Sequence, residues 1–248
     1  MKRLLPLLIF LMALPATAQE GTITYDRIVK IEMDLPPEME SMRDQFPTEN
    51  KTRMLLHFNE LESVWRASEE QEERGDREFR GGGMMVRMSR AREQNVTYVN
   101  HDEGRMIDRR DFMGRTFLIK DDQPMLAWKL TGEQSEFNGY MVQRATAVRD
   151  SSSVEAWFSP QIPVAVGPGP FAGLPGAILV LIIDDGQTTF TATDISLGEL
   201  PEDAIVVPDE GREVSQEEFE AIMEEKRKEM EAQFGNRRGN GVRMIIRN

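Results

Sequence analysis

The sequence predicts a mainly β protein of the α+β kind: a curved antiparallel sheet, or open half-barrel, with one C-terminal helix packed on it. Three observations predict it. Short segments rich in Val, Ile, Thr and aromatic residues recur along the chain and are separated by Gly, Asp and Asn turn signals. A single stretch near the end carries both start and stop signals of a helix. The 248 residues contain no cysteine, so a disulfide framework, a thiolate metal site and a cysteine nucleophile are excluded.

Residues 1–18 read as an export signal. Lys2 and Arg3 precede an apolar run over 4–14, and Pro15 leads into Ala16-Thr17-Ala18, an A-x-A cleavage pattern. The run is shorter than the ~20 apolar residues of a membrane span. Removing it takes the formal charge from −13 to −15. So acidic a chain is unsuited to nucleic acid, which is held through clustered Lys and Arg.

Residues 19–208 form the expected β domain. Segment 22–33 partly alternates, as a half-buried strand does. Pro36-Pro37 opens a short helix-like stretch that ends before Pro47. Residues 54–59 and 63–67 read as a hairpin, and 68–83 as a flexible charged loop ending in three glycines. A meander follows over 96–100, 105–111, 116–120 and 127–131, then one long strand over 137–149, then 154–159. After a Pro/Gly-rich loop, the apolar strand 177–183 turns through Asp184-Asp185-Gly186 into 188–195. Roughly ten strands joined by short turns predict a curved open sheet.

Residues 209–248 form an acidic helix and a basic tail. Ser215 and Glu218 make a capping box at the start of 215–234, and Gly235 supplies the stop. Phe219, Ile222, Met223, Met230 and Phe234 can share a side, and Glu224 pairs with Lys228 at i,i+4. Segment 209–231 carries ten acids against four bases, whereas the tail bears Arg237, Arg238, Arg243 and Arg247. Residues 242–247 either add an edge strand or continue as a frayed tail.

Chemistry has few footholds. There is no G-x-S-x-G, H-E-x-x-H, P-loop, dinucleotide fingerprint or EF-hand loop. His57 sits on a strand, pointing opposite to Leu56 and Phe58, and His101 sits in an acidic turn. No catalytic residue and no cofactor are expected. Met84, Met85 and Met88 beside a glycine run, with His101, are the one candidate metal set, because thioethers select Cu(I). Core filling is the favoured explanation for the methionine surplus, since Met is a flexible gap filler and the methionines are spread through the expected strands and helices.

The loop after Ser159 carries a family likeness. The run from Ala156 to Pro163, then Gly167-Pro168 and Gly173-Leu174-Pro175-Gly176-Ala177-Ile178, resembles the GLPGLI family, with Ala177 in place of the usual Leu. Trp128 to Thr131, Asn138 to Tyr140 and Arg144 to Thr146 support it. The resemblance implies an exported envelope protein of Gram-negative bacteria and carries no activity with it. Two readings of the motif loop stand open: a rigid Pro/Gly corner, or a gate over a ligand cavity. The working expectation is non-enzymatic binding of an apolar or amphipathic ligand, or of an outer-membrane protein partner. Trp128, Tyr140, Trp157, Leu174 and Ile178 are placed near that site. The alternatives are Cu(I) handling, and a structural role in an envelope complex through the acidic helix and basic tail.

Overall fold

The computed structural model describes residues 20–34, 43, 46–69, 77–81, 84–88, 95–235 and 243–245. The export signal and the helix-like stretch at 36–45 fall outside them, apart from Arg43.

Twelve strands form one open sheet in the order β10-β11-β12-β13-β14-β1-β3-β4-β7-β8-β9-β15. From the bare end these are β10 (Lys129–Phe137), β11 (Tyr140–Arg149), β12 (Ser152–Ser159), β13 (Ala177–Ile183) and β14 (Thr188–Leu197). Then come β1 (Gly21–Lys30), β3 (Glu49–Phe58), β4 (Glu62–Ala67) and β7 (Val96–Asn100). The far end holds β8 (Arg105–Phe112), β9 (Arg115–Asp122) and β15 (Arg212–Val214). Two small pairs stand apart: β5 (Arg77–Gly81) with β6 (Met84–Met88), and β2 (Glu32–Asp34) with β16 (Arg243–Ile245).

The predicted curvature is real. Trp65 on β4 and Phe190 on β14 bring their rings to 5.8 Å although β1 and β3 lie between those strands. A flat sheet would hold their backbones about 14 Å apart, three strand spacings of roughly 4.8 Å. Bulges at Thr24/Tyr25 and at Trp157/Phe158 help to bend it.

Several expected boundaries need correction. The long strand over 137–149 is two strands, because Asn138 and Gly139 turn the chain back with φ of 50° and 82°. That is the Asn-Gly signal of a two-residue hairpin. The loop at 68–83 contains β5, paired with β6, so it is not loop throughout. The sheet is mixed, not purely antiparallel, since β15 runs parallel to β9. Three residues are too few for periodicity to show. The tail strand forms, but it pairs with β2 and adds nothing to the large sheet.

The helix α1 (Gln216–Gly235) starts as predicted. The Ser215 hydroxyl accepts from the Glu218 amide at 3.1 Å, and Glu218 accepts from the Ser215 amide at 3.0 Å. Three members of the expected stripe have described side chains. Phe219 is buried among Phe117, Ile119 and Val214, Ile222 packs at the margin, and Met223 is 36% exposed. Glu224 pairs with Lys228 at 3.3 Å as expected, and with Arg227 at 2.7 Å.

Candidate functional site

The motif loop fills the hollow of the sheet. Between β12 and β13 the chain leaves the sheet at 160 and returns at 176, and Ile162, Val164, Val166, Phe171, Ala172 and Leu174 all bury against the inner face. Its apolar residues alternate with Pro163 and the exposed Ala165, a period-two pattern already present in the sequence. Hydrogen bonds from an amide to the carbonyl two residues back, Val164 to Ile162 at 2.8 Å and Val166 to Val164 at 2.9 Å, give tight successive turns. Ala177 and Ile178 then bond back to Ile162 and Val166, both at 2.9 Å, so the loop is sewn to β13.

Side chains from distant strands lock it further. The Tyr25 hydroxyl donates to the Ile178 carbonyl at 2.6 Å, and burial pushes that phenol well above its ordinary pKa. Trp128 Nε1 donates to the Ala172 carbonyl at 2.8 Å. Two glycines are dictated by contact. A Cβ on Gly176 would stand 2.1 Å from the Ser159 carbonyl oxygen, and one on Gly167 would stand 2.5 Å from that of Phe171. Of the two readings of the loop, its packing is that of a rigid corner that also plugs the hollow.

The five residues chosen from the sequence do not line one cavity. Leu174 and Ile178 are core, at 2% and 0% exposure, and Trp128 braces the plug from the rim. Tyr140 is half-buried beside the Asn138-Gly139 turn. Trp157 is only partly buried: Ala156 and Phe158 are core, while Trp157 and Glu155 alternate with them at the margin, where Trp157 still packs against the core cluster. Neighbouring residues of a strand point to opposite faces, which is why so close a pair is divided.

That margin holds a polar network the sequence reading did not find. Arg144 bonds Glu133 at 2.7 Å and Glu155 at 2.6 Å, and Trp157 Nε1 donates to Glu155 at 2.9 Å. Burial opposes ionisation of Glu155, but the Arg144 and Trp157 hydrogen bonds hold its carboxyl below the ordinary value. Only the register, Arg144 opposite Trp157 and Thr146 opposite Glu155, assembles it. A cleft of about 570 Å³ opens beside it, lined by Lys129, Arg144, Val148, Glu155, Ile182 and Asp185 among others. A second, of about 610 Å³, lies over β14, β1, β3 and β4 with Arg53, Arg66, Glu69 and Asp194 on its walls. Both are open at the surface and mixed in polarity.

Three of the four side chains of the candidate metal set lie outside the described residues. Met84, Met85 and Met88 lie on β6, whose side chains are outside them, and His101 Nε2 is within 3.0 Å of the Ser63 hydroxyl. No three His, Asp or Glu side chains converge among the described residues. His57 is also buried, with Nδ1 at 2.9 Å from the Thr22 hydroxyl. Burial lowers both imidazole pKa values, and Arg66 adds to the effect at His57. No helix among the described residues is long and apolar enough to cross a membrane.

Fold and site thus define a curved open sheet plugged by its own Pro/Gly loop. Residues 147–180 match the family described as "Protein of unknown function (Porph_ging)", and that stretch holds β12, the plug and the start of β13. No curated protein matches the sequence. Two solved structures share the fold, "Structure of PNGF-II in C2 space group" and "Structure of PNGF-II in P21 space group". Each has a TM-score of 0.55 and 15% identity, and each match covers 83% of this chain. The match spans 33% of the PNGF-II chain, so the shared fold is about a third of that protein.

Proposed function

We propose that the chain is a non-enzymatic, exported envelope protein of the GLPGLI type that works by binding a protein partner on its outer surface. The carrying observation is the plug. The hollow that would hold an apolar ligand is occupied by Ile162, Val166, Phe171 and Leu174 of the same chain. The N-terminal export pattern supports the compartment. Arg144, Glu155 and Trp157, all partly exposed, and the adjoining cleft supply a polar surface on the strands that flank the motif loop.

Native mass spectrometry of the protein released gently from its own envelope fraction tests this reading. The expected species is the processed chain with a stoichiometric protein partner. A stoichiometric lipid or other apolar small molecule, displaced when Leu174 is enlarged to Trp, would overturn it and return the hollow to ligand binding.

A further inference from the structure

We propose that the bare edge at β10 and the cleft beside it take up an extended segment of a partner protein by strand addition, with a basic side chain of that segment seated in the cleft. This deepens the partner-binding reading and rests on it.

β10 ends the sheet, and its residues 129–136 are all exposed. The two-residue Asn138-Gly139 turn makes Phe137 and Tyr140 the closing, hydrogen-bonded pair. Bonding then alternates along an antiparallel ladder, so Glu136 and Gln134 direct their amides and carbonyls away from β11. The Met141 amide agrees: it bonds Gln161 Oε1 at 2.6 Å instead of reaching across to Glu136. Gln134 and Glu136 therefore offer a short unpaired ladder of the kind that receives an added strand.

A bulge separates this ladder from the cleft, which begins at Lys129 of the same strand. The register with β11 shifts between Leu130 and Gln134, where Gly132 takes φ of 81°. Within the bulge the Glu133 amide donates to the Thr131 hydroxyl, which donates to the Arg144 carbonyl, both at 3.3 Å. Polar groups displaced by the bulge are thereby satisfied, and the cleft of about 570 Å³ opens past it, at the Lys129 end of the strand. Strand addition draws affinity from the main chain and specificity from such pockets.

Charge selects the occupant. Arg144 is neutralised by Glu133 and Glu155. Beyond that triad the edge and cleft carry Glu136 and Asp185 against Lys129, on a chain of formal charge −13. Ala127, Val148 and Ile182 supply apolar wall for the stem of an arginine or lysine. Leu130 on β10 and Met141 opposite Glu136, at 56% and 50% exposure, add uncovered apolar surface at the edge.

The test titrates the intact protein with three end-blocked octapeptides: alternating valine and arginine, alternating valine and glutamate, and the first peptide N-methylated at every second amide. Calorimetry is expected to show saturable binding of the arginine peptide, at least about tenfold tighter than either control (about 1.4 kcal/mol). Gln134→Pro and Asp185→Lys should each weaken it by a similar factor while leaving the melting temperature in place. Equal binding of the N-methylated peptide, or an unchanged affinity in both variants, would overturn the proposal. A concentration-dependent dimer dissolved by Gln134→Pro would also overturn it, by making a second copy the occupant. A partner found by mass spectrometry and retained by Gln134→Pro would sink this site and leave the partner-binding reading intact.

Discussion

The two ends of the sheet are finished in opposite ways. At the β9 end, the short parallel strand β15 caps the ladder and α1 lays Phe219 onto Phe117, with their rings 5.4 Å apart. Asp108 beneath it is buried, accepts from the Thr97 hydroxyl at 2.9 Å, and pairs with Arg110, whose guanidinium lies 5.8 Å from the Phe219 ring. At the β10 end no strand or helix among the described residues covers the ladder, and one polar network, Glu133-Arg144-Glu155, stitches the outermost strands together. One edge is closed by packing; the other is managed by a bulge and charge. The difference separates an end built for stability from an end open to contact.

Between them lies the plug, where the largest loss is expected. Leu174→Ala removes a side chain 2% exposed from a core that spans both faces of the loop and hollow. It should cost about 4 kcal/mol by cavity formation. Urea unfolding checks it; a loss below about 1 kcal/mol would mean that the loop is a detachable cover.

Phe219→Ala comes next and probes the closed edge directly. Among the described residues its cluster has Phe117, Ile119, Val214 and Phe219 as buried members, so the expected cost is about 3 kcal/mol. The loss should be local. Amide exchange ought to rise through α1 and β15 while β11 and β12 keep their protection. Uniform loss across the sheet would show that both ends unfold as one unit.

Acid provides a smaller perturbation, acting in the middle of the sheet. His57 and His101 both have folded-state pKa values below the ordinary 6.5, chiefly through burial. The folded protein therefore binds fewer protons than the unfolded chain just below pH 6.5, and stability rises with pH through that window. The urea midpoint should fall as pH drops from about 7.5 to 5, and His57→Gln should flatten part of that slope. A midpoint that rises on acidification would overturn the assignment.

How much of this was legible beforehand depends on how far each feature reaches along the chain. The strands 96–100 and 177–183 and the Ser215 cap declare themselves within a few residues, and the structure agrees. The Asn138-Gly139 turn was equally local, yet the flanking β-branched and aromatic residues on both sides read as one continuous strand. The plug was half legible: the Pro/Gly chemistry marked a rigid corner, and the alternation of Ile162, Val164 and Val166 held its burial pattern. What the corner encloses is a tertiary fact. The Arg144 network was not legible, because Glu133, Arg144 and Glu155 meet only through a bulge and a register between three strands. Trp157 shows the same limit from the other direction. Its aromatic character suggested a pocket, but strand parity leaves it at the core margin with its Nε1 turned to Glu155.

The smallest effect is the one that best separates the two ends. Gln134→Pro removes an amide that points away from β11, so no ladder bond is broken, and prolines are tolerated on edge strands for that reason. The expected change in stability is within about 0.5 kcal/mol. Ser135→Pro, one residue along, removes an amide that faces Val142 and should cost several times more. The contrast needs only two thermal melts. If the two prolines are equally harmful, the bonding alternation assigned from the Asn138-Gly139 turn is wrong and Gln134 offers no free ladder. If only Ser135→Pro is harmful, β10 is an edge whose outward half contributes nothing to folding, and its exposure has to be explained by what it touches.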